Sequence, residues 1–249
     1  MARPALLMLA AALICAAACS TVLPPELAQP VSHQKLTYYP GLVKGFEHSY
    51  PPRTMLVLPV IDNCLANAPS DGAANGEHQV GVTTDGQGNV LQRLYLGPIA
   101  AQVQSALVAA ADEAGLRARP SDRPGYDGQS AAADYVVQSE VTQCSLKKNR
   151  INVGDLGPNW QTVANFSLSV TIYKPPFRIP FWQGSSAQTY TDPPDTGSGL
   201  DEDAAQIYDQ PGQVLSVAFT RGVEGIFARP DLHELISDDR VLRPSAGTP

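Results

Sequence analysis

Residues 54–62, Thr-Met-Leu-Val-Leu-Pro-Val-Ile-Asp, form a nearly continuous apolar run with β-branched positions, the pattern of a strand buried on both faces. Pro59 has no N–H to give to a ladder, so an edge strand or a bulge is expected there. Residues 80–84 and 90–95 flank Asp85-Gly-Gln-Gly-Asn89 and predict a β-hairpin. Gly97-Pro98 opens a helix in which Ile99, Val103, Ala106, Leu107, Ala110 and Ala114 make one alanine-rich stripe, with Gly115 as the stop. Residues 134–142 predict another strand. Residues 161–173 alternate, with Val163, Phe166, Leu168, Val170 and Ile172 against Ser167, Ser169 and Thr171, so one face is buried and one is wet. After a bend at Lys174-Pro-Pro-Phe-Arg-Ile-Pro180, residues 181–190 return as a partner strand. A helix over residues 211–228 carries Val214, Leu215, Ala218, Phe219, Gly222, Val223 and Ile226 on one face, Pro230 ends it, and a short helical turn follows at 231–236.

This order predicts an α/β fold: a βαβ unit, then an antiparallel meander and a C-terminal helix, with the helices packed on one face of a mixed sheet. Residues 66–77 and 120–132 read as loops. Residues 19–52 hold Pro24, Pro25, Pro30, Pro40, Pro51 and Pro52, which block a continuous helix and suit a tether. Within it, residues 36–43 are apolar and aromatic enough to pack on the domain as an edge segment. The expected organisation is a signal at 1–18, the tether at 19–52, one domain at 53–238 and a disordered tail at 239–249.

The N-terminus sets the address. Arg3 supplies a positive start, residues 5–14 an apolar stretch too short for a spanning helix, and Ala16-Ala17-Ala18 small residues before Cys19. This is similar to a bacterial lipoprotein signal, with Ala16 where that pattern usually has Leu; Ile14 fits poorly before the other nearby cysteine, Cys15. The alternative is ordinary secretion with cleavage after Ala18. The resemblance implies lipidation of Cys19, and Ser20 in place of an inner-membrane-retaining Asp implies the outer membrane, periplasmic face. The acyl chains would be the membrane contact, and more than one chain meets the requirement for stable anchoring.

A net charge of −7 removes the electrostatic footprint of a nucleic-acid-binding protein. The basic cluster Lys147-Lys148-Arg150 reads as a solvated strand end. Of four cysteines, Cys64 and Cys144 remain beyond the signal. Each lies just past an apolar strand-like run, so parallel neighbouring strands set the two thiols side by side as a candidate disulfide, the alternative being two buried free thiols.

Candidate chemistry is sparse. His33, His48, His78 and His233 have no two at ligand spacing on one element. Gly197-Ser-Gly199 lacks the strand and helix that give a nucleophile elbow or phosphate loop its meaning. Asp85-Gly-Gln-Gly-Asn89 has calcium-like oxygen spacing without a distal Glu, and a hairpin turn accounts for it. Asp201, Glu202 and Asp203 suit the positive end of the helix that follows them. No catalytic residue, metal or cofactor is expected; a hydrolase with dispersed residues is the remaining enzyme alternative. The expected partner surface is the bend, Phe177, Ile179, Phe181 and Trp182, where aromatics in a Pro-rich segment form an exposed patch. The alternative there has Phe181 and Trp182 entering the core. A sheet edge is a second surface, open to a partner strand or to self-association into a homo-oligomer.

With the Leu56-Val-Leu-Pro-Val60 strand, the Ala133-Asp-Tyr-Val-Val137 strand and the helix running into Arg229-Pro-Asp-Leu-His-Glu-Leu235, the chain resembles small periplasmic lipoproteins of the YajG type and the PqiC-like auxiliary lipoproteins of ABC-type lipid transport systems. The resemblance implies a non-enzymatic accessory of an envelope protein complex, such as a lipid transporter. The LpoB and CsgG lipoproteins share a related layout, which implies a scaffold or regulator of peptidoglycan synthesis or secretion as the alternative.

Overall fold

The computed structural model describes residues 30–47, 49–64, 77–128, 132–152, 158–192 and 211–239. In chain order the elements are β1 (Val31–Gln34), β2 (Thr54–Val57), β3 (Ile61–Asp62), β4 (His78–Thr84), β5 (Val90–Leu96), α1 (Ala100–Glu113), β6 (Arg117–Pro120), β7 (Tyr135–Asn152), β8 (Pro158–Tyr173), β9 (Pro180–Thr191), α2 (Pro211–Phe227) and α3 (Pro230–Asp238). The axis is β7. One of its edges pairs along its length with antiparallel β8, which pairs in turn with antiparallel β9. Its other edge is shared by three parallel strands in succession, β2 at Tyr135, β3 at Glu140 and β4 from Leu146. From β2 the sheet continues to β6, and from β4 to β5 and then β1.

The helices sit on one face of this mixed sheet. Every residue of the expected α1 stripe is buried, Ile99, Val103, Ala106, Leu107, Ala110 and Ala114, and Gly115 ends the helix at φ 100, a conformation glycine adopts without strain. On α2, Val214, Leu215, Ala218, Phe219, Val223 and Ile226 are buried. Phe219 meets Phe166 of β8 edge-on at 5.2 Å. A Cβ on Gly222 would stand 2.8 Å from the Phe166 ring, so the glycine lets helix and sheet approach closely. The fold class is therefore the one the hydrophobic pattern predicts.

Pro59 falls where a missing N–H costs least. The β2 ladder ends with Leu58 N donating to Val137 O at 2.9 Å, β6 stops opposite Val57 at Pro120, and pairing resumes only at Ile61. The proline thus interrupts one strand into two rather than marking an edge along its whole length.

Two boundaries are corrected. The expected tether at 19–52 does not hold beyond Pro30: β1 adds to the sheet beside β5, and Leu36, Phe46 and Tyr50 enter the core. The physical reason lies on α2, where Ser216, Thr220 and Glu224, spaced four apart on one face, accept hydrogen bonds from alternate backbone N–H groups of the passing chain. Thr37 N donates to Ser216 Oγ (2.9 Å), Tyr39 N to Thr220 Oγ1 (3.0 Å), Gly41 N to Glu224 Oε1 (2.6 Å) and Val43 N to Glu224 Oε2 (2.6 Å). The Tyr38 hydroxyl also donates to Glu224 Oε1, and burial with the Glu224 charge pushes the Tyr38 phenol above its usual range. Residues 36–43 therefore pack on the domain, as their apolar character predicts, but against a helix rather than as a sheet edge. At the other end Asp239, assigned to the tail, accepts from the Tyr135 hydroxyl at 2.6 Å and pairs with Lys174. The signal, Cys19 and residues 240–249 lie outside the described residues, among which no helix is long and apolar enough to cross a membrane.

Candidate functional site

The sheet has two poles. Tyr173 at the end of β8 faces Val136 at the start of β7, so the bend lies at the lower pole. The chain enters the domain at Val31, in a row with Arg93, Val82 and Lys147, eleven residues up β7 from Val136. At about 3.3 Å per residue the entry point and the bend are about 35 Å apart along the strand direction.

At the lower pole Phe177 N donates to Lys174 O at 2.9 Å, closing a turn around the cis Pro175-Pro176 bond. Arg178 folds back onto the loop before β7, where a Cβ on Gly128 would stand 2.6 Å from its side chain. In the same loop Tyr126 packs on Tyr173 with ring centroids 4.9 Å apart. With the residue between them anchored, Phe177 and Ile179 stand outward, 61% and 79% exposed.

The other two residues of the expected patch do not belong to it. A bulge in β9 pairs Pro180 with Tyr173 and Trp182 with Ile172, leaving Phe181 as the extra residue and turning both rings inward. Phe181 packs on Tyr135 at 5.4 Å. Trp182 is buried, lies over Gly184, where a Cβ would come within 2.3 Å of the indole, and donates from Nε1 to Asp231 Oδ2 at 3.0 Å. The Arg229 guanidinium covers the Trp182 ring at 5.5 Å and pairs with Asp231 at 2.9 Å. The patch is thus Phe177 and Ile179, and the aromatics that follow are its foundation.

Sequence reading did not find the Arg229–Asp231–Trp182 group; its one local signal is Arg229-Pro-Asp231 at the start of α3. The hydrogen bonds from Arg229 and from Trp182 hold the Asp231 carboxyl down at about 2. Because the folded value lies below the usual 3.8, this contact contributes stability above about pH 4 that is lost as pH falls toward 2. An NMR titration of the Asp231 carboxyl is expected to give a midpoint near 2 in the wild type and a higher one, toward 3.8, in Trp182→Phe; equal midpoints would remove the indole from the account.

Cys64 and Cys144 come together as the parallel-strand expectation requires. Asn63 N donates to Val141 O at 3.0 Å, continuing the β3–β7 register. Both cysteines line a cleft of about 270 Å³ with Gln79, Val80, Thr142 and Gln143, and both are free thiols in this structure. A hydrogen bond with the Cys144 thiol, then burial, push the Cys64 thiol far above its usual range.

The Asp85 turn behaves as a hairpin turn: its carboxylate accepts from Gln87 N (2.8 Å), Asn89 N (2.9 Å) and Asn89 Nδ2 (2.8 Å). These bonds, the Asn89 amide first, hold Asp85 below the usual carboxylate range. His33 pairs with Glu77 at 2.9 Å, and His233 Nε2 donates to Ser49 O at 2.8 Å while its ring packs on Tyr50. Among the described residues no three His, Cys, Asp or Glu side chains converge as a metal site. His48, Gly197 to Gly199 and Asp201 to Asp203 lie outside the described residues.

No family model matches the chain, and no curated protein matches it. Solved structures similar to it include protein XCC0632 of Xanthomonas campestris, of family DUF330, at 14% identity over 81% of this chain and 98% of that one, TM-score 0.40. Lipoprotein GNA1162 of Neisseria meningitidis is similar at 14% identity over 63% and 92%, TM-score 0.32. A minor lipoprotein of Acinetobacter baumannii is similar at 9% identity over 75% and 92%, TM-score 0.27. At these identities and TM-scores the likeness extends to no residue of the site.

Proposed function

We propose that this chain is a lipid-anchored, periplasm-facing outer-membrane lipoprotein that works without catalysis, as an accessory of an envelope lipid-transport or assembly system. It does so by gripping a protein partner at the lower pole. The observation that carries this is the pair Phe177 and Ile179, two large apolar side chains held outward on a buttressed turn. A buttressed turn loses little conformational freedom on binding, which favours its use as an anchor.

Position supports the same reading. The twelve residues from Cys19 to Pro30 span at most about 40 Å when extended, so a lipid on Cys19 keeps the domain at the membrane. The bend lies at the pole opposite to the chain entry. The transport role rests on the sequence resemblance.

The test is recovery from solubilised membranes of the tagged full chain and of Phe177→Ser/Ile179→Ser. The wild type is expected to retain an envelope transport or assembly component that the double variant loses at least tenfold. Equal recovery by a folded double variant would overturn the proposed surface.

A further inference from the structure

We infer that Cys64 and Cys144 are a modification site: in an oxidising compartment they close into a disulfide that staples the end of β3 to the middle of β7. The placement is specific because it depends on a bulge. Before it, the core-facing residues of β7 are Val137, Ser139 and Val141; after it they are Cys144 and Leu146. The change of parity comes from Thr142, which the β8 register skips between Val141↔Leu168 and Gln143↔Ser167. In the β3–β7 register Asp62 faces Val141, so an unbulged β7 would set Gln143 beside Cys64. The extra residue brings Cys144 to that place instead, on the same face and in the same cleft.

The cleft gives a reagent access to one of the pair first, since Cys64 is half-buried and Cys144 buried. The oxidant is a protein disulfide of the compartment. The Cys64 thiolate attacks one of its sulfurs, forming a mixed disulfide and expelling one oxidant thiolate. The Cys144 thiolate then attacks the Cys64 sulfur, closing the internal bond and expelling the second. This chain gives up two protons and two electrons, and the oxidant leaves as a dithiol. The hydrogen bond with Cys144 and burial favour the protonated Cys64 thiol in the folded chain, which slows the first attack there.

The bond encloses a loop of about 80 residues, for which the chain-entropy account gives a rise in thermal midpoint on the order of 10 °C for a domain of this size. The test uses the full chain isolated from the periplasmic side, denatured without reductant, alkylated and mapped by mass spectrometry. A linked peptide pair containing Cys64 and Cys144 is expected, and reduction is expected to lower the thermal midpoint to that of Cys64→Ser. Alkylation of both residues without reductant, in a chain whose circular dichroism is native, would overturn the inference. So would a Cys64→Ser midpoint equal to that of the unreduced wild type.

Discussion

Glu224→Ala is expected to destabilise the domain by about 2–4 kcal/mol, because it removes a buried acceptor from three part-buried donors rather than a surface charge. Glu224 has no exposed surface, and its two oxygens hold Gly41 N, Val43 N and the Tyr38 hydroxyl. Alanine leaves these three part-buried donors without that acceptor, at about 1 kcal/mol each before relaxation. Glu224→Gln keeps the shape and one acceptor oxygen but turns an NH₂ group toward a donor, so a smaller loss is expected. Chemical denaturation measures the total. Hydrogen exchange localises it, with the Gly41 and Val43 amides losing protection before those of β8. A stable Glu224→Ala chain with protected amides would show that residues 36–43 are held by something other than α2.

The second large effect separates the two halves of the aromatic bend. Trp182→Ala removes a buried ring together with its bond to Asp231 and its stack under Arg229, and a loss of about 3–5 kcal/mol is expected. Phe177→Ser/Ile179→Ser touches side chains that are mostly in water, so its stability change stays within about 0.5 kcal/mol per site. Its effect falls on binding, where loss of the two apolar anchors costs about 1.4 kcal/mol or more, at least a tenfold loss of affinity. Urea melts of the two variants check the first contrast. A Phe177→Ser/Ile179→Ser chain that unfolds as readily as Trp182→Ala would make the pair part of the core and remove the docking surface.

Much of the framework was legible because the residues that form it also display it. The β8 alternation, the α1 stripe with Gly115 and the α2 stripe with Gly222 are periodic over long enough windows to name both the element and its buried face. What was not legible depends on residues far apart. Arg117–Pro120 has no pattern of its own and becomes a strand because β2 offers it an edge. The second half of β7, Gln143 to Asn152, is mostly polar and is held by pairing to β8 and β4. That residues 36–43 pack was readable, but not that they pack on α2, because their partners, Ser216, Thr220 and Glu224, follow some 180 residues later.

The candidate site divides the same way. That the bend carries exposed apolar residues was readable from its prolines and aromatics; which residues are exposed was not. A one-residue bulge at Phe181 decides it, turning Phe181 and Trp182 inward and leaving Phe177 and Ile179 outside. The parallel-strand argument for Cys64 and Cys144 found the pair, while the bulge at Thr142 that aligns them appears only in the register of β7 with β8.

The central claim is that the lower pole, not the pole near the chain entry, meets the partner. The most direct measurement places a photo-crosslinking residue at Ile179 of the full-length, membrane-anchored chain in living cells, with Leu91 as the control. Leu91 is also exposed, at 44%, but sits beside the β4–β5 turn at the other pole. A single crosslinked envelope protein from position 179, absent from position 91 and reduced by Phe177→Ser, is the predicted result. The same product from both positions, or a product from position 91 alone, would contradict the account.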